Sequence, residues 1–216
     1  MTKTIFFDFD GTVVDCQEFQ ISRLKNVFKH FGVDTNGVDF LKLIGPPLYN
    51  TFSKFMGKQK AQEVLSFYNS SFNPNNISGI KLFDGIKQML TDLKNDGHTL
   101  CLTSLQFDTV VNAELNYLGI TKLFDKVYCD SPDIAYKTKI ELVADVIDYG
   151  GYKKEDIVLV GDTDNDIAAG IKNNLFTVAV NWGYGDVKED EVDAVISTPK
   201  QLVSLVNQLE KQSTLK

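Results

Sequence analysis

The most constraining feature of this chain is a pair of short, wholly apolar runs that each end in acid. Ile5-Phe6-Phe7 follows Thr4 and meets Asp8-Phe9-Asp10-Gly11-Thr12, and Ile157-Val158-Leu159-Val160 meets Gly161-Asp162. A β-prone run with no polar alternation reads as a strand covered on both faces. Thr99-Leu100-Cys101-Leu102, Lys126-Val127-Tyr128-Cys129 and Thr177-Val178-Ala179-Val180 read as further strands. Helical spacings fall between them, at Ile86, Met89, Leu90 and Leu93, near residues 109–118, at Ile140, Val143, Ala144 and Ile147, and through Ala168 and Ala169. A last helix carries Leu202, Leu205, Val206 and Leu209. Strands alternating with helices imply right-handed crossovers and a parallel, doubly wound α/β sheet.

The segment between the first strand and residue 80 has a different texture. Phe19, Leu24, Val27, Phe28 and Phe31 recur at helical spacing, followed by a short helix at Phe40–Ile44, one from Leu48 to Met56 and one from Ala61 to Phe72. No strand is predicted there, and the polar stretch Asn73-Pro74-Asn75-Asn76, with Ser78-Gly79, reads as a hinge. Residues 1–15 and 80–216 are therefore expected to form the core, with 16–79 inserted as an α-helical cap. A chain of 216 residues is long enough for both.

Charge narrows the partners. With 22 basic and 29 acidic side chains the net charge is −7, which argues against a nucleic-acid polymer or a membrane surface, both polyanionic. A small phosphorylated metabolite remains compatible, because only the local field of a pocket acts on it. Cys16, Cys101 and Cys129 stand apart with no C-x-x-C pair, as expected for reduced thiols in a cytoplasmic protein. The apolar run after Lys3 is too short for a signal peptide or a membrane span. His30 and His98, beside glycines at helix ends, read as surface residues.

Ligands of open α/β sheets bind outside the carboxyl ends of the strands. Polar residues collect at those ends: Asp8 and Asp10 after the first strand, Thr103 and Ser104 after the second, Lys137 beyond the break at Ser131-Pro132-Asp133, and Asp162, Asp164 and Asp166 after the fourth. Carboxylates suit a hard cation such as Mg²⁺. A hydroxyl, backbone N–H groups and an ammonium suit a phosphate.

These residues carry a resemblance. Asp8-Phe9-Asp10-Gly11-Thr12-Val13-Val14-Asp15 resembles the first motif, D-x-D-G-T-x-x-D, of the haloacid dehalogenase-like hydrolase superfamily. Thr103-Ser104 resembles its second motif, Lys137 its third, and Gly161-Asp162-Thr163-Asp164-Asn165-Asp166 its fourth. The inserted helical block, with Ile44-Gly45-Pro46-Pro47-Leu48 and later Leu82-Phe83-Asp84-Gly85-Ile86, resembles the phosphoglycolate phosphatase-like branch with an α-helical cap on a Rossmann-like core.

The resemblance implies a Mg²⁺-dependent phosphatase acting on a small phosphomonoester (phosphoglycolate-like, a sugar phosphate or a nucleoside monophosphate). Asp8 would be the nucleophile that forms an aspartyl-phosphate, and Asp10 the acid and base. An acid at that second position separates phosphoryl transfer from dehalogenation. Mg²⁺ would be held by Asp8, the Asp10 carbonyl and Asp162, with Asp166 orienting them from behind. Gly11, Thr12, Thr103, Ser104 and Lys137 would bind the phosphoryl group, Thr103 and Lys137 taking part in catalysis. Lys139 is the competing choice for that lysine, since both stand near a helix start. Trp182 and Tyr184 line the cleft mouth or simply pack.

Two departures stand out. Relatives of this branch often follow the second motif with lysine and proline, whereas Leu105-Gln106-Phe107 follows Ser104. The arginine often found before the third-motif lysine is replaced by Ile134-Ala135-Tyr136. Neither removes a catalytic group. A phosphosugar mutase would use the same acids, and a phospho-acceptor signalling module has similar rim residues but no use for a long helical insertion. A monomer or weak homodimer is expected.

Gly45-Pro46-Pro47 is the stiffest turn of the helical block, because two fixed φ angles limit it. The turn and the adjoining Leu48, Tyr49 and Asn50 are expected to filter substrates. Substituting Tyr49 or Asn50 should change the ranking of kcat/KM across a panel of phosphomonoesters by several-fold while leaving Tm nearly unchanged. An unchanged ranking would remove these residues from substrate selection.

Overall fold

The computed structural model describes residues 2–44, 47–131, 138–185, 187 and 189–214. In chain order the core begins with β1 (Thr4–Phe7) and a two-residue β2 (Val14–Asp15). After the helical segment come β3 (Lys81–Leu82), α4 (Ile86–Asn95), β4 (Thr99–Phe107), α5 (Asp108–Leu118) and β5 (Lys126–Asp130). The chain continues through α6 (Lys139–Gly150), β6 (Ile157–Gly161), α7 (Asp164–Asn173), β7 (Phe176–Val180), β8 (Ala194–Ile196) and α8 (Pro199–Thr214).

Six strands form one parallel sheet in the order β5-β4-β1-β6-β7-β8, the α/β architecture expected from the alternation. β1 pairs with β4 on one side and β6 on the other. The chain leaves β1 toward β4 and β5, then crosses back to β6, so the order reverses beside β1. In open α/β sheets that reversal opens the ligand-binding crevice.

The continuous apolar runs have their physical reason in this placement. Phe6, Cys101 and Leu159 lie in one row and pack with Leu142, Val143, Val146 and Ile147 of α6 and Ala169 of α7. Their neighbours Ile5, Phe7, Leu100, Leu102, Val158 and Val160 point to the other face and are also buried. β8 went unread in the sequence because a three-residue edge strand is too short to show a period. The pair β2–β3, antiparallel and only two residues per strand, escaped for the same reason.

The chain divides into two compact units, Met1–Asp15 with Lys81–Lys216, and Cys16–Ile80. The second contains α1 (Gln17–His30), a 3₁₀ turn at Leu41–Leu43, α2 (Leu48–Met56) and α3 (Lys58–Ser70). It has its own core of Leu24, Val27, Phe28, Leu43, Phe52, Ala61, Val64 and Tyr68. The Phe28 ring meets Phe55 at 5.0 Å and Phe40 at 5.7 Å between centroids. Gly57, at φ +83°, breaks α2 from α3, a conformation that costs glycine little. Gly45 and Pro46 of the stiff turn lie outside the described residues. Tyr49 and Asn50 are exposed on the first turn of α2.

His98 corrects its reading as a surface residue. It is 3% exposed, because the turn that ends α4 tucks it under the start of β1. Its Nδ1 accepts a hydrogen bond from the Lys3 backbone N–H at 3.1 Å. Burial pulls its pKa below 6.5, against Glu210 and Asp96, which raise it, and with the N-terminus and Lys3, which lower it further. The unfolded chain therefore binds more protons than the folded one just below that value. Stability carried by neutral His98 is complete above about pH 6.5 and is lost as pH falls through the folded pKa. Between about pH 7.5 and pH 5.5, the Tm of wild type should fall by roughly 1–4 °C more than that of His98→Gln. Equal slopes would contradict this assignment.

Candidate active site

Asp8 follows directly on β1, and its N–H donates to the Val160 carbonyl at 2.9 Å, continuing the ladder to β6. The chain then turns sharply. The N–H groups of Val13 and Val14 both donate to the Phe9 carbonyl at 3.0 Å, and Phe9 is fully buried. Gly11 takes φ +86°, and a Cβ there would stand 2.2 Å from Asp162 Oδ2. Only glycine lets this turn approach the end of β6 so closely.

The centre of the site is an ion cluster. Lys139 Nζ donates to Asp8 Oδ1 at 2.5 Å and to the Thr103 carbonyl at 2.6 Å, and lies 3.3 Å from Asp166 Oδ1. Oxygens of Asp8, Asp162 and Asp166 all lie within 4.8 Å of one another. The Asp8 side chain keeps 14% of its surface open, whereas Lys139 and Asp166 keep 3% each. Burial opposes the Lys139 charge, but Asp8 and Asp166 outweigh it and hold the ammonium well above the usual lysine range. Burial, then Asp166, pushes Asp8 well up, with Lys139 pulling the other way. Asp162 is pushed up to about 7 by burial and then Asp166, against hydrogen bonds from Tyr184, Thr12 and Gly185.

Lys139 is the lysine that the structure brings to this cluster. Lys137, favoured in the sequence, lies outside the described residues. Both precede an apolar residue by three positions, Ile140 and Leu142, so that pattern could not separate them. The helix start could. Thr138 caps α6, its Oγ1 accepting from the Glu141 N–H at 3.2 Å, so Thr-x-x-Glu marks Lys139 as the first helical residue.

The other expected site residues are placed as follows. The Thr103 hydroxyl donates to the Phe7 carbonyl at 3.2 Å, tying β4 to β1. Ser104 is buried, and its Oγ accepts from the Gln106 N–H at 3.1 Å. Thr12, expected to bind phosphate, donates its hydroxyl to Asp162 Oδ1 at 3.0 Å. The Gly11 N–H is used within the turn, donating to the Val14 carbonyl at 2.9 Å. Asp166 accepts at Oδ2 from the Thr163 N–H and hydroxyl, at 3.2 and 2.7 Å, so the Thr163 capping box of α7 holds it while Oδ1 faces Lys139. Asp164 is exposed.

Tyr184 and Trp182, which the sequence leaves open between lining the cleft mouth and packing, both contact the site, and Gln106 joins them without having been expected. Tyr184 donates its N–H to Asp162 Oδ2 at 2.8 Å and its hydroxyl to Asp15 Oδ1 at 3.1 Å. Trp182 Nε1 donates to the Thr12 carbonyl at 3.0 Å. The loop after β7 thus grips both the first-strand turn and the carboxylate at the end of β6. A Cβ on Gly183 would stand 2.3 Å from Asp162 Cβ, and one on Gly185 would stand 2.0 Å from its carbonyl oxygen. The glycines flanking Tyr184 were the available signal. Gln106 Nε2 lies 2.8 and 2.7 Å from the two carboxylate oxygens of Asp10, a long-range contact with no local pattern.

Three carboxylates against one ammonium leave the cluster two charges negative when ionised. Such a set, oxygen-only and compact, fits a hard divalent cation, and Asp8, Asp162 and Asp166 each have an oxygen to offer. Among the described residues this is the one group of its kind. No helix among them is long and apolar enough to cross a membrane.

Known proteins share this arrangement of chain. The chain is 25% identical over 208 residues to the tyrosine-protein kinase PtkA of Mycobacterium tuberculosis, covering 96% of itself and 71% of that protein. It is 27% identical over 207 residues to the pyrophosphatase PpaX of Oceanobacillus iheyensis, covering 94% of itself and 96% of the relative. The crystal structure of a predicted phosphatase from Clostridium acetobutylicum superposes with a TM-score of 0.86 over 96% of this chain and all of the other, at 22% identity, and so shares the fold. The haloacid dehalogenase-like hydrolase family matches residues 5–180, from the first residues of β1 to the end of β7, and the chain belongs to that family.

Proposed function

We propose that this protein is a Mg²⁺-dependent phosphatase that hydrolyses a small phosphomonoester through an aspartyl-phosphate on Asp8. The observation that carries the reading is the Asp8 carboxylate at the end of the central strand, paired with a buried ammonium and faced by Asp162 and Asp166. Lys139 occupies one Asp8 oxygen, which leaves the other for attack. As the Asp8 oxygen–phosphorus bond forms, the bond from phosphorus to the ester oxygen breaks, and Asp10 gives that oxygen its proton. In the second half, water attacks the acyl-phosphate, Asp10 takes the proton, and inorganic phosphate leaves with Asp8 restored.

Lys139 keeps its charge throughout and lies where it can face the equatorial oxygens as charge builds on them. The Thr103 and Ser104 segment supplies further donors at the same strand end. Mg²⁺, held by Asp8, Asp162 and the Asp10 carbonyl with Asp166 beside them, would neutralise the phosphate dianion against this acidic cluster. The core grips only phosphoryl and cation, so recognition of the organic part is assigned to the helical unit, residues 16–80.

The relative PtkA carries the name of a tyrosine kinase, and PpaX that of a pyrophosphatase. The same aspartate chemistry could pass a phosphoryl group to an acceptor other than water. Inorganic phosphate should appear when wild type meets Mg²⁺ and a panel of phosphoglycolate, sugar phosphates, nucleoside monophosphates and pyrophosphate. It should vanish with Asp8→Asn or with excess EDTA. Transfer from ATP to a tyrosine peptide, or retention of the phosphoryl group on a sugar, with no phosphate release would overturn the hydrolase reading.

The two lysines can be separated directly. Lys139→Met should lower kcat by roughly 10²–10³-fold, the loss expected for one donor to a developing oxyanion. It should also lower Tm, because the acids it neutralises stay buried. Lys137→Met should keep both within about twofold. The reverse pattern in phosphate-release and melting assays would return the role to Lys137.

A further inference from the structure

The segment Leu105-Gln106-Phe107, which departs from the lysine and proline of the family pattern that the second motif resembles, has a geometry of its own. β4 outruns β5 there: Ser104 pairs with Cys129 and the next pair is Phe107 with Asp130. Three steps on β4 thus cover one on β5, and Leu105 and Gln106 bulge out of the ladder. Bulges of this kind re-aim side chains beside active sites. The Gln106 N–H donates to Ser104 Oγ at 3.1 Å, which closes the bulge on itself. Phe107 then leads straight into α5.

The bulge sends the Gln106 carboxamide to Asp10. Its Nε2 stands 2.8 Å from Oδ1 and 2.7 Å from Oδ2. An ionised carboxylate only accepts hydrogen bonds, so the amide nitrogen faces it in that state. Once protonated, Asp10 still accepts from the same N–H through its carbonyl oxygen while its O–H serves the ester oxygen. A donor bridging both oxygens restricts the carboxyl group about its own axis and selects one χ1 well of a side chain that otherwise samples several. Hydrogen bonds to charged groups are stronger than neutral ones, so the restraint is a firm one. A carboxamide neither gains nor loses a proton in the working range, so it orients the acid without competing for its proton.

We propose that Gln106 is a positioning residue for Asp10, holding the carboxyl group where it meets the ester oxygen as that oxygen leaves. This rests on the reading of Asp10 as the acid and base. The proton passes from Asp10 to the ester oxygen as the phosphorus–oxygen bond breaks, and Gln106 keeps all its hydrogens. Its contribution therefore appears only where the leaving group needs a proton.

The experiment compares an alkyl phosphate, β-glycerol phosphate, with p-nitrophenyl phosphate, whose leaving group departs without protonation. The measured quantity is kcat/KM, which reports the phosphorylation half of the reaction. Gln106→Met keeps the length of the side chain and removes the donor. It should lower kcat/KM for the alkyl ester roughly 10-fold, the scale of one hydrogen bond to a charged group, and for the nitrophenyl ester less than about threefold. Gln106→Glu, which sets a like charge against Asp10, should show the same selectivity or more, and gives a second test if the methionine variant folds poorly. In an Asp10→Asn background, Gln106→Met should cost nothing further, as for two residues acting through one group. Equal losses on both esters, or an undiminished loss in the Asp10→Asn background, would overturn the proposal while leaving the phosphatase reading intact. An Asp10→Asn variant that itself shows no leaving-group selectivity would take down the acid–base reading and this proposal with it.

Discussion

A single buried ammonium ties the catalytic end of this protein together. Lys139 contacts Asp8 at the end of β1, the Thr103 carbonyl on β4 and Asp166 on the first turn of α7, and it stands itself on the first turn of α6. Without it, Asp8, Asp162 and Asp166 would share one buried pocket with no cation against them, a cost of several kcal/mol for breaking such a cluster. With it, the cluster is still two charges short of neutral when ionised. That shortfall suits the divalent cation proposed above, whose positive charge would offset the remaining acids. Burial presses the pKa values of Asp8 and Asp162 upward, and the neighbouring Asp166 charge adds to it.

Around this centre, close approach does the positioning. The turn after β1 and the loop after β7 both press against Asp162, and neither contact leaves room for a side chain at Gly11, Gly183 or Gly185. Asp162 is then held by donors from both directions, the Thr12 hydroxyl on Oδ1 and the Tyr184 N–H on Oδ2. A carboxylate so fixed presents its oxygens in one orientation, as a ligand for a hard cation requires. Tyr184 carries the restraint onward to Asp15, at the point where the chain leaves the core unit for the helical one. Asp15 also pairs with Lys81, where the chain returns, at 3.5 Å.

Asp10 stands apart from this group. Its side chain is not among the three carboxylates that converge, and it is met instead by Gln106 from the bulge of β4. Two acids separated by one residue thus enter different surroundings, one against an ammonium and one against a neutral amide. That separation suits two roles, attack by Asp8 and proton transfer by Asp10.

The five longer strands β1, β4, β5, β6 and β7, their parallel arrangement and the acids at their ends were legible because each is a local pattern. An apolar run buried on both faces cannot alternate, and a strand that ends at a site ends in polar residues. Asp8, Asp10, Asp162 and Asp166 could therefore be singled out from short windows of sequence. Lys139 could have been chosen over Lys137 from the Thr138-x-x-Glu141 cap, which fixes where the helix begins. The burial of His98 and the reach of Gln106 to Asp10 had no such signal. The hold of Tyr184 on Asp162 was marked only by the flanking Gly183 and Gly185, which say that something approaches closely but not what. Those contacts join residues 95, 96 and 22 positions apart. Local periodicity determined which segments become strands and helices and which acids face the rim. Only the packed sheet decided which side chains meet there, because a contact between distant residues depends on strand register, bulges and loop approach that no short window of sequence contains.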